Sequence, residues 1–262
     1  MRKSSARSAW LPILTVALLV AIVAGIGVAY TRWQRGVDDA IAEARSGPQR
    51  ELPEEKRDPV ALWIGDSYTA GTGSDLTTTS YARQVCSAMG WVCNVDAAGG
   101  TGFVAAIDED FAPLPARLDK TYDRFFADVI IVDAGRNDGK IPDGPVRESA
   151  EAYFDRLRDY WPKAELIAIL PWYLDKEQYS DRIKVIIRDV AEKHGAKIVD
   201  PYSEGWTISS KTEAMLMPDN AHFFQPGHDL VTRRLVSAFR KLGLSTIALT
   251  EPRLIGGSSS NH

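Results

Sequence analysis

Short apolar runs alternate with amphipathic segments over residues 59–243, and this alternation is the strongest constraint on the fold. The runs at 60–64, 91–95, 129–134, 166–170 and 197–199 are typical of strands. The segments between and after them predict helices at 79–89, 146–161, 181–194 and 229–242, with a short helix near 122–126 and irregular chain at 110–118. Strands that alternate with helices indicate an α/β domain whose parallel sheet is covered on both faces.

The first strand ends abruptly in Gly65, Asp66 and Ser67. Open α/β folds bind their ligands at the carboxyl ends of the strands, which makes Ser67 a candidate nucleophile. Glycine, aspartate and serine are also ordinary turn residues, so this stretch alone does not decide the matter. We expect Asp66 to cap or bind nearby backbone N–H groups rather than to take part in chemistry.

A serine hydroxyl needs a neighbouring base to become a good nucleophile, and the chain has four histidines. His262 ends the tail, His194 precedes a glycine at a helix end, and His228 lies at the start of the last helix, where packing or capping is expected. Asp219 precedes His222 by three residues in a turn, so its carboxylate can reach the imidazole and fix its tautomer. This geometry favours His222 as the base.

Acyl transfer also needs hydrogen-bond donors directed at the oxyanion, and two further strand ends offer candidates. The glycine-rich stretch 99–102 contains Gly100, whose backbone N–H a substrate can approach without hindrance from a side chain. Asn137 follows the third strand and carries an amide NH₂. A tight turn and an Asx-turn are the alternative interpretations of these residues.

These residues follow one another in an order that resembles the SGNH hydrolase superfamily, also called the GDSL family of esterases and lipases. The resemblance covers about residues 59–242. Its motifs are Gly65-Asp66-Ser67, Gly100, Gly135-Arg136-Asn137-Asp138 and Asp219-Asn220-Ala221-His222. The family's leucine after the serine is Tyr68 here, and Phe223 follows the histidine where the family often has proline. The Gly-x-Ser-x-Gly elbow of α/β-hydrolases is absent because Thr69 replaces its last glycine.

The resemblance implies a three-layer α/β/α fold with a five-stranded parallel, flavodoxin-like sheet. It also implies that Ser67 is the nucleophile, His222 the base and Asp219 its orienting acid. The oxyanion hole would consist of the Ser67 and Gly100 backbone N–H groups and the Asn137 side chain. No metal or cofactor is expected.

Further side chains are candidates for substrate binding. Arg136 either meets an anionic or sugar substrate or pairs with Asp133 or Asp138. Aromatic residues near the strand ends could stack on sugar rings or line an acyl pocket, with simple packing as the alternative; they are Trp172, Tyr173, Trp206 and Phe223.

The N-terminus predicts a membrane anchor. Residues 9–30 are uncharged and mostly apolar, long enough at helical rise to cross a bilayer, and Arg2, Lys3 and Arg7 precede them. This charge distribution favours a cytoplasmic N-terminus and an extracytoplasmic domain, with a cleaved signal peptide as the alternative. The predicted parts are a basic terminus (1–8), the anchor (9–30), a polar tether (31–58), the hydrolase domain (59–243) and a tail (244–262).

Two compositional features bear on compartment and partners. Cys86 and Cys93 are seven residues apart, which in an oxidising compartment favours a disulfide over two buried free thiols. The formal net charge of −4 provides no basic excess for binding nucleic acid.

Together these features predict an extracytoplasmic, membrane-anchored serine esterase that acts on an acylated, for example O-acetylated, glycan or lipid of the cell envelope. An O-acyltransferase that uses the same residues is one alternative. A non-catalytic glycan-binding module on the same fold is another.

Overall fold

The structure is a computed structural model that describes residues 31–32, 58–173, 180–206 and 213–244. The predicted anchor at 9–30 lies outside these residues, as do nearly all of the tether and the tail. Within the described ranges, no helix has the length and apolar character needed to cross a membrane.

The sheet has five parallel strands in the order β2-β1-β3-β4-β5. The strands are β1 (Val60–Gly65), β2 (Val92–Ala97), β3 (Val129–Asp133), β4 (Glu165–Ile169) and β5 (Lys197–Val199). Every residue of β3 is buried, which explains the apolar run at 129–132 that precedes Asp133. The predicted parallel sheet is confirmed, and its strand order is the flavodoxin-like one.

Six α-helices lie among the described residues. They are α1 (Ser67–Ala70), α2 (Tyr81–Met89), α3 (Leu114–Arg124), α4 (Asp143–Tyr160), α5 (Ser180–Lys193) and α6 (Gln225–Lys241). Buried side chains of α3, α4 and α5 form an apolar cluster with one face of the sheet, and those of α2 and α6 form a second cluster with the other face. The domain therefore has the three layers that the sequence predicted.

Helices α3 and α6 begin at least four residues earlier than the sequence predicted. Helix α3 begins at Leu114, so the expectation of irregular chain at 110–118 and a short helix near 122–126 is wrong there. Helix α6 begins at Gln225 rather than at residue 229. In both helices a proline occupies the first turn. Proline is tolerated there because N–H groups of the first turn make no hydrogen bond within the helix.

Cys86 and Cys93 form a disulfide that joins α2 to β2, with 5.7 Å between their Cα atoms. The bond attaches an edge strand of the sheet to a helix that packs on it. The predicted disulfide is thus present in the structure.

Candidate active site

Ser67 is the first residue of the one-turn helix α1, directly after strand β1. The Asp66 carboxylate caps this helix by accepting the Tyr68 backbone N–H at 3.0 Å, as the sequence led us to expect. A Cβ at Gly65 would lie 2.7 Å from the main-chain oxygen of Asp133 on the neighbouring strand. Only glycine fits here, so the sharp turn that presents Ser67 at the sheet edge depends on it.

The hydroxyl of Ser67 lies 2.8 Å from His222 Nε2, and His222 Nδ1 lies 2.6 Å from Asp219 Oδ2. The other Asp219 oxygen accepts the backbone N–H groups of Ala221 and His222, each at 2.9 Å. Asn220 adopts φ 53°, which folds the chain tightly enough for these contacts. The hydrogen bond from His222, together with the backbone donors, lowers the pKa of Asp219 to about 2.

The carboxylate of Asp219 can therefore accept a hydrogen bond from Nδ1–H of His222, a tautomer in which Nε2 is unprotonated toward Ser67. In that tautomer the imidazole can accept the Ser67 proton. The structure thus brings three residues of the predicted triad into one hydrogen-bonded chain.

The other histidines are engaged elsewhere. The ring of His228 is buried; its Nδ1 accepts the Tyr81 backbone N–H at 3.3 Å, and its Nε2 donates to the Thr72 carbonyl at 3.2 Å. Burial lowers the pKa of His228, consistent with this neutral, structural tautomer. His194 contacts Asp155 at 2.8 Å between α5 and α4. Among the three histidines that the structure describes, His222 alone touches Ser67.

The predicted oxyanion donors lie at the same edge of the sheet. A Cβ on Gly99 would come 3.7 Å from the Cβ of Ser67, so the glycine-rich loop passes beside the serine. Gly100 adopts φ +73°, a conformation that favours glycine. Asn137 follows β3, and its Nδ2 donates to the Thr101 carbonyl at 2.9 Å. An amide NH₂ carries two N–H groups, so this bond uses one and leaves the other for a ligand.

Asp138 holds the next part of that loop, a role that the sequence prediction did not assign. Its carboxylate accepts three successive backbone N–H groups, from Phe103 at 2.8 Å, Val104 at 3.0 Å and Ala105 at 2.8 Å. A Cβ on Gly102 would lie 2.3 Å from the same carboxylate, so glycine is required there too. The signal was visible in the sequence as the acid directly after Asn137.

Ile107 is a second residue that the prediction missed. Its side chain is 65% exposed, and its Cδ1 lies only 2.5 Å from the position that a Cβ on Gly100 would occupy. An apolar side chain therefore borders the candidate oxyanion hole. Nothing in the local sequence distinguishes this isoleucine, because its position depends on the fold of the loop.

Arg136 is buried between two carboxylates. Its Nε and Nη2 donate to Asp66 at 3.0 and 2.8 Å, and its Nη1 donates to Asp133 Oδ1 at 2.7 Å. Only 2% of its side chain is exposed. The interpretation of Arg136 as a substrate-binding residue is therefore wrong, and pairing with Asp133 is what the structure contains. Asp138, the other proposed partner, binds backbone N–H groups instead.

Burial and the ion pairs together shift the pKa values of this cluster. Burial by itself lowers the pKa of Arg136, but Asp133 and Asp66 outweigh burial and hold it well above its usual value. Burial raises the pKa of Asp66, and the facing guanidinium opposes that rise. Burial, with Asp133 beside it, raises the pKa of the Tyr81 phenol, which stays protonated and donates to Asp133.

The aromatic candidates for substrate binding are core residues. Trp172, Trp206 and Phe223 are 1%, 3% and 1% exposed, so their assignment to a substrate surface is wrong. Trp172 and Phe223 pack around the Tyr68 ring at centroid distances of 5.5 and 4.9 Å, and Trp206 packs on Trp172 at 5.9 Å. Simple packing, the alternative interpretation, is what is found. Tyr173 is half-buried and donates through its hydroxyl to the Arg136 carbonyl at 3.0 Å.

A three-layer α/β/α domain with a serine, a histidine and an acid at the sheet edge has the architecture of a serine hydrolase. Residues 63–230 match the model of the GDSL-like Lipase/Acylhydrolase family. The chain belongs to this family and is an SGNH-type serine hydrolase. No curated protein matches its sequence.

Several solved structures share the fold at low sequence identity. The psychrotrophic esterase EstA from Pseudoalteromonas sp. is 14% identical, with a TM-score of 0.57 over 71% of this chain and 98% of EstA. A family two carbohydrate esterase from Clostridium thermocellum, solved with cellohexaose, is 16% identical, with a TM-score of 0.57 over 74% of this chain and 67% of that one. A G-D-S-L family lipolytic protein from Desulfitobacterium hafniense is 16% identical, with a TM-score of 0.52 over 69% and 99%.

The lowered pKa of Asp219 predicts a pH-dependent contribution to stability. A carboxyl whose folded pKa is depressed stabilises the fold above its unfolded pKa, here 3.8, and loses that contribution as pH falls toward about 2. We expect the melting temperature of the wild type to exceed that of Asp219→Asn above pH 4, with the difference shrinking as the pH approaches 2. Thermal melts monitored by circular dichroism measure this difference. A gap that is the same at pH 3 and pH 6 would contradict the prediction.

Proposed function

We propose that the protein is a membrane-anchored, extracytoplasmic serine esterase in which Ser67 is the nucleophile, His222 the base and Asp219 its orienting acid. The observation that carries the proposal is the continuous hydrogen-bonded chain from Ser67 Oγ through His222 to Asp219. Membership of an acylhydrolase family and the fold shared with esterases support it.

The first half-reaction forms an acyl-enzyme. As Ser67 Oγ attacks the ester carbonyl carbon, His222 Nε2 takes the hydroxyl proton and becomes an imidazolium, which Asp219 stabilises. The negative charge that develops on the carbonyl oxygen is bound by the N–H groups of Ser67 and Gly100 and the amide of Asn137. When the C–O bond breaks, His222 returns the proton to the departing alkoxide, and an alcohol leaves.

The second half-reaction releases the acid. His222 removes a proton from water, which attacks the acyl carbonyl on Ser67. The tetrahedral intermediate collapses with cleavage of the bond to Ser67 Oγ, and the imidazolium protonates that oxygen. The products are a carboxylic acid and the free enzyme, and no cofactor is needed for atom balance.

Removing the nucleophile tests the assignment. We expect Ser67→Ala to abolish labelling by a fluorophosphonate probe and to lower kcat on p-nitrophenyl acetate by about 10⁴-fold or more, as in other serine hydrolases. His222→Gln should lower kcat to a similar extent, because the serine then has no base. Initial rates and in-gel fluorescence measure these effects.

The controls for these variants lie away from the site. Ser237→Ala, on the exposed face of α6, should keep full activity, as should His194→Gln, in the contact between α4 and α5. Undiminished hydrolysis by Ser67→Ala would make the site assignment wrong. A wild-type protein that neither hydrolyses the ester nor reacts with the probe would exclude the esterase itself.

We propose as substrate a glycan or lipid of the cell envelope that carries small O-acyl groups such as acetyl. Two observations support a bulky alcohol portion: the site is at the surface, with 22% of the His222 side chain and 46% of the Asp219 side chain exposed, and the fold is shared with carbohydrate esterases. We expect the enzyme to release acetate from O-acetylated polysaccharides. We also expect kcat/KM on p-nitrophenyl acetate to be at least tenfold above that on the decanoate ester, because a change of even one methylene in a pocket can alter kcat/KM by about tenfold or more. Acid release measured across an ester series tests both. Preference for the long acyl chain would overturn this substrate class.

The location is proposed from the N-terminal sequence. The apolar run at 9–30, the basic residues before it and the tether at 31–58 support a signal anchor with the hydrolase domain (59–243) outside the cytoplasm and a short tail at 244–262. The Cys86–Cys93 disulfide supports an oxidising compartment. We expect the full chain to remain with membranes after carbonate washing and to be degraded by protease added to intact spheroplasts. Release into the medium as a shortened chain would instead indicate a cleaved signal peptide.

A further inference from the structure

One buried network of side chains involves residues that adjoin Ser67, Asn137 and His222 in the sequence. Asp66 precedes Ser67, and Arg136 precedes Asn137; the two side chains form a two-pronged ion pair at 2.8 and 3.0 Å. Tyr68, which follows Ser67, has its ring 4.3 Å from the Arg136 guanidinium. The Tyr68 hydroxyl donates to the main-chain oxygen of Ala221, the residue before His222. Residues far apart in sequence are thus joined below the sheet edge.

The guanidinium is the centre of this network because of its shape. Besides the two bonds to Asp66, it donates through Nη1 to Asp133 Oδ1 at 2.7 Å and through Nη2 to the Asp133 main-chain oxygen at 2.8 Å. These four hydrogen bonds fix the end of β3, where Asp133 lies, against the end of β1, where Asp66 lies. A planar group with five N–H donors can form a two-pronged pair with Asp66 and reach Asp133 as well, whereas the compact ammonium of lysine lacks this fork.

Arg136 also has its own main chain restrained. The Tyr173 hydroxyl donates to the Arg136 carbonyl at 3.0 Å, so both ends of the residue are held. Asn137, the next residue in the chain, is therefore fixed relative to β3 and to the Asp66 cap of α1.

We infer that Arg136 is a positioning residue of the hydrolase: it aligns the Ser67 backbone N–H and the Asn137 amide on one oxyanion. The inference rests on the proposed function, because it assumes that these two groups bind the oxyanion. Arg136 itself is buried, so its side chain is not exposed for contact with a substrate. Its effect is therefore on the rate of the chemical step rather than on substrate affinity.

The test compares three variants of the full chain with the wild type. Arg136→Met removes all four hydrogen bonds while retaining most of the length of the side chain. Arg136→Lys keeps the charge without the fork, and Asp133→Asn alters the second carboxylate. The concentration of active sites is titrated with a fluorophosphonate probe, so that kcat on p-nitrophenyl acetate refers to folded enzyme only.

Arg158→Met is the matched control. Arg158 also makes a fork of hydrogen bonds, to the main-chain oxygens of His194 at 2.8 Å, Ala164 at 3.0 Å and Gly195 at 3.1 Å. These oxygens lie just before β4 and β5, at the amino ends of the strands, whereas the site is at the carboxyl ends. Loss of this arginine should lower the melting temperature and leave kcat per active site unchanged.

We expect Arg136→Met to lower kcat per active site by about 100-fold, the size of effect that a displacement of about 1 Å produces at a reacting centre. KM should stay within about threefold, and the rate constant for fluorophosphonate labelling should fall with kcat. Arg136→Lys and Asp133→Asn should each lose about tenfold in kcat, since one pair of carboxylate contacts remains in each.

The outcomes separate this inference from the proposed function. If the folded Arg136 variants keep kcat within twofold of the wild type, Arg136 has no positioning role. The same holds if only their melting temperature falls, as is expected for Arg158→Met. If Arg136→Met does not fold, the other two variants decide by the same criterion. A wild type without hydrolysis or labelling contradicts the proposed function, whereas an active wild type with fully active variants contradicts this inference alone.

Discussion

A positive charge buried between two carboxylates is the interaction on which the rest of the site depends. Removing an ion from water costs several kcal/mol, so a buried guanidinium is tolerated only where partners satisfy it almost completely. Here Asp66 and Asp133 do so, and hydroxyl groups of Tyr81 and Thr69 bind the remaining carboxylate oxygen of Asp133, Thr69 at 3.3 Å. Asp66 lies just after the carboxyl end of β1, and Asp133 is the last residue of β3. The cluster therefore fixes the ends of β1 and β3 relative to each other.

The residue after the serine shows how this chain differs from the family's usual sequence. Tyr68 stands where the family has leucine, and it adds a hydroxyl that reaches the loop carrying the histidine. Its ring is also the centre around which Trp172 and Phe223 pack. This one residue thus couples the helix of Ser67 to the core on one side and to the loop of His222 on the other. A leucine could supply the packing but not the hydrogen bond.

Much of this arrangement could be predicted from the sequence because the relevant signals are local. The contact between Asp219 and His222 spans three residues, and the alternation of strands and helices determines at which edge Ser67 and Asn137 emerge. The burial of Trp206 and Phe223 could not be predicted, because the direction in which an aromatic side chain in a loop points depends on packing partners far away in the chain. The buried state of Arg136 was open for the same reason: pairing with Asp133 was one of the two alternatives, but Asp66, seventy residues earlier, was not foreseen.

The chain separation within the site has a consequence for biosynthesis. Ser67 and His222 are 155 residues apart, and His222 precedes α6, whose His228 is packed against the loop after α1. The ribosome synthesises Ser67 long before His222, the proposed base, and His222 reaches Ser67 only when α6 packs against the domain. A nascent or truncated polypeptide therefore carries the serine without its histidine. With His222 as the proposed base, the domain can hydrolyse an ester only after most of its chain has been made.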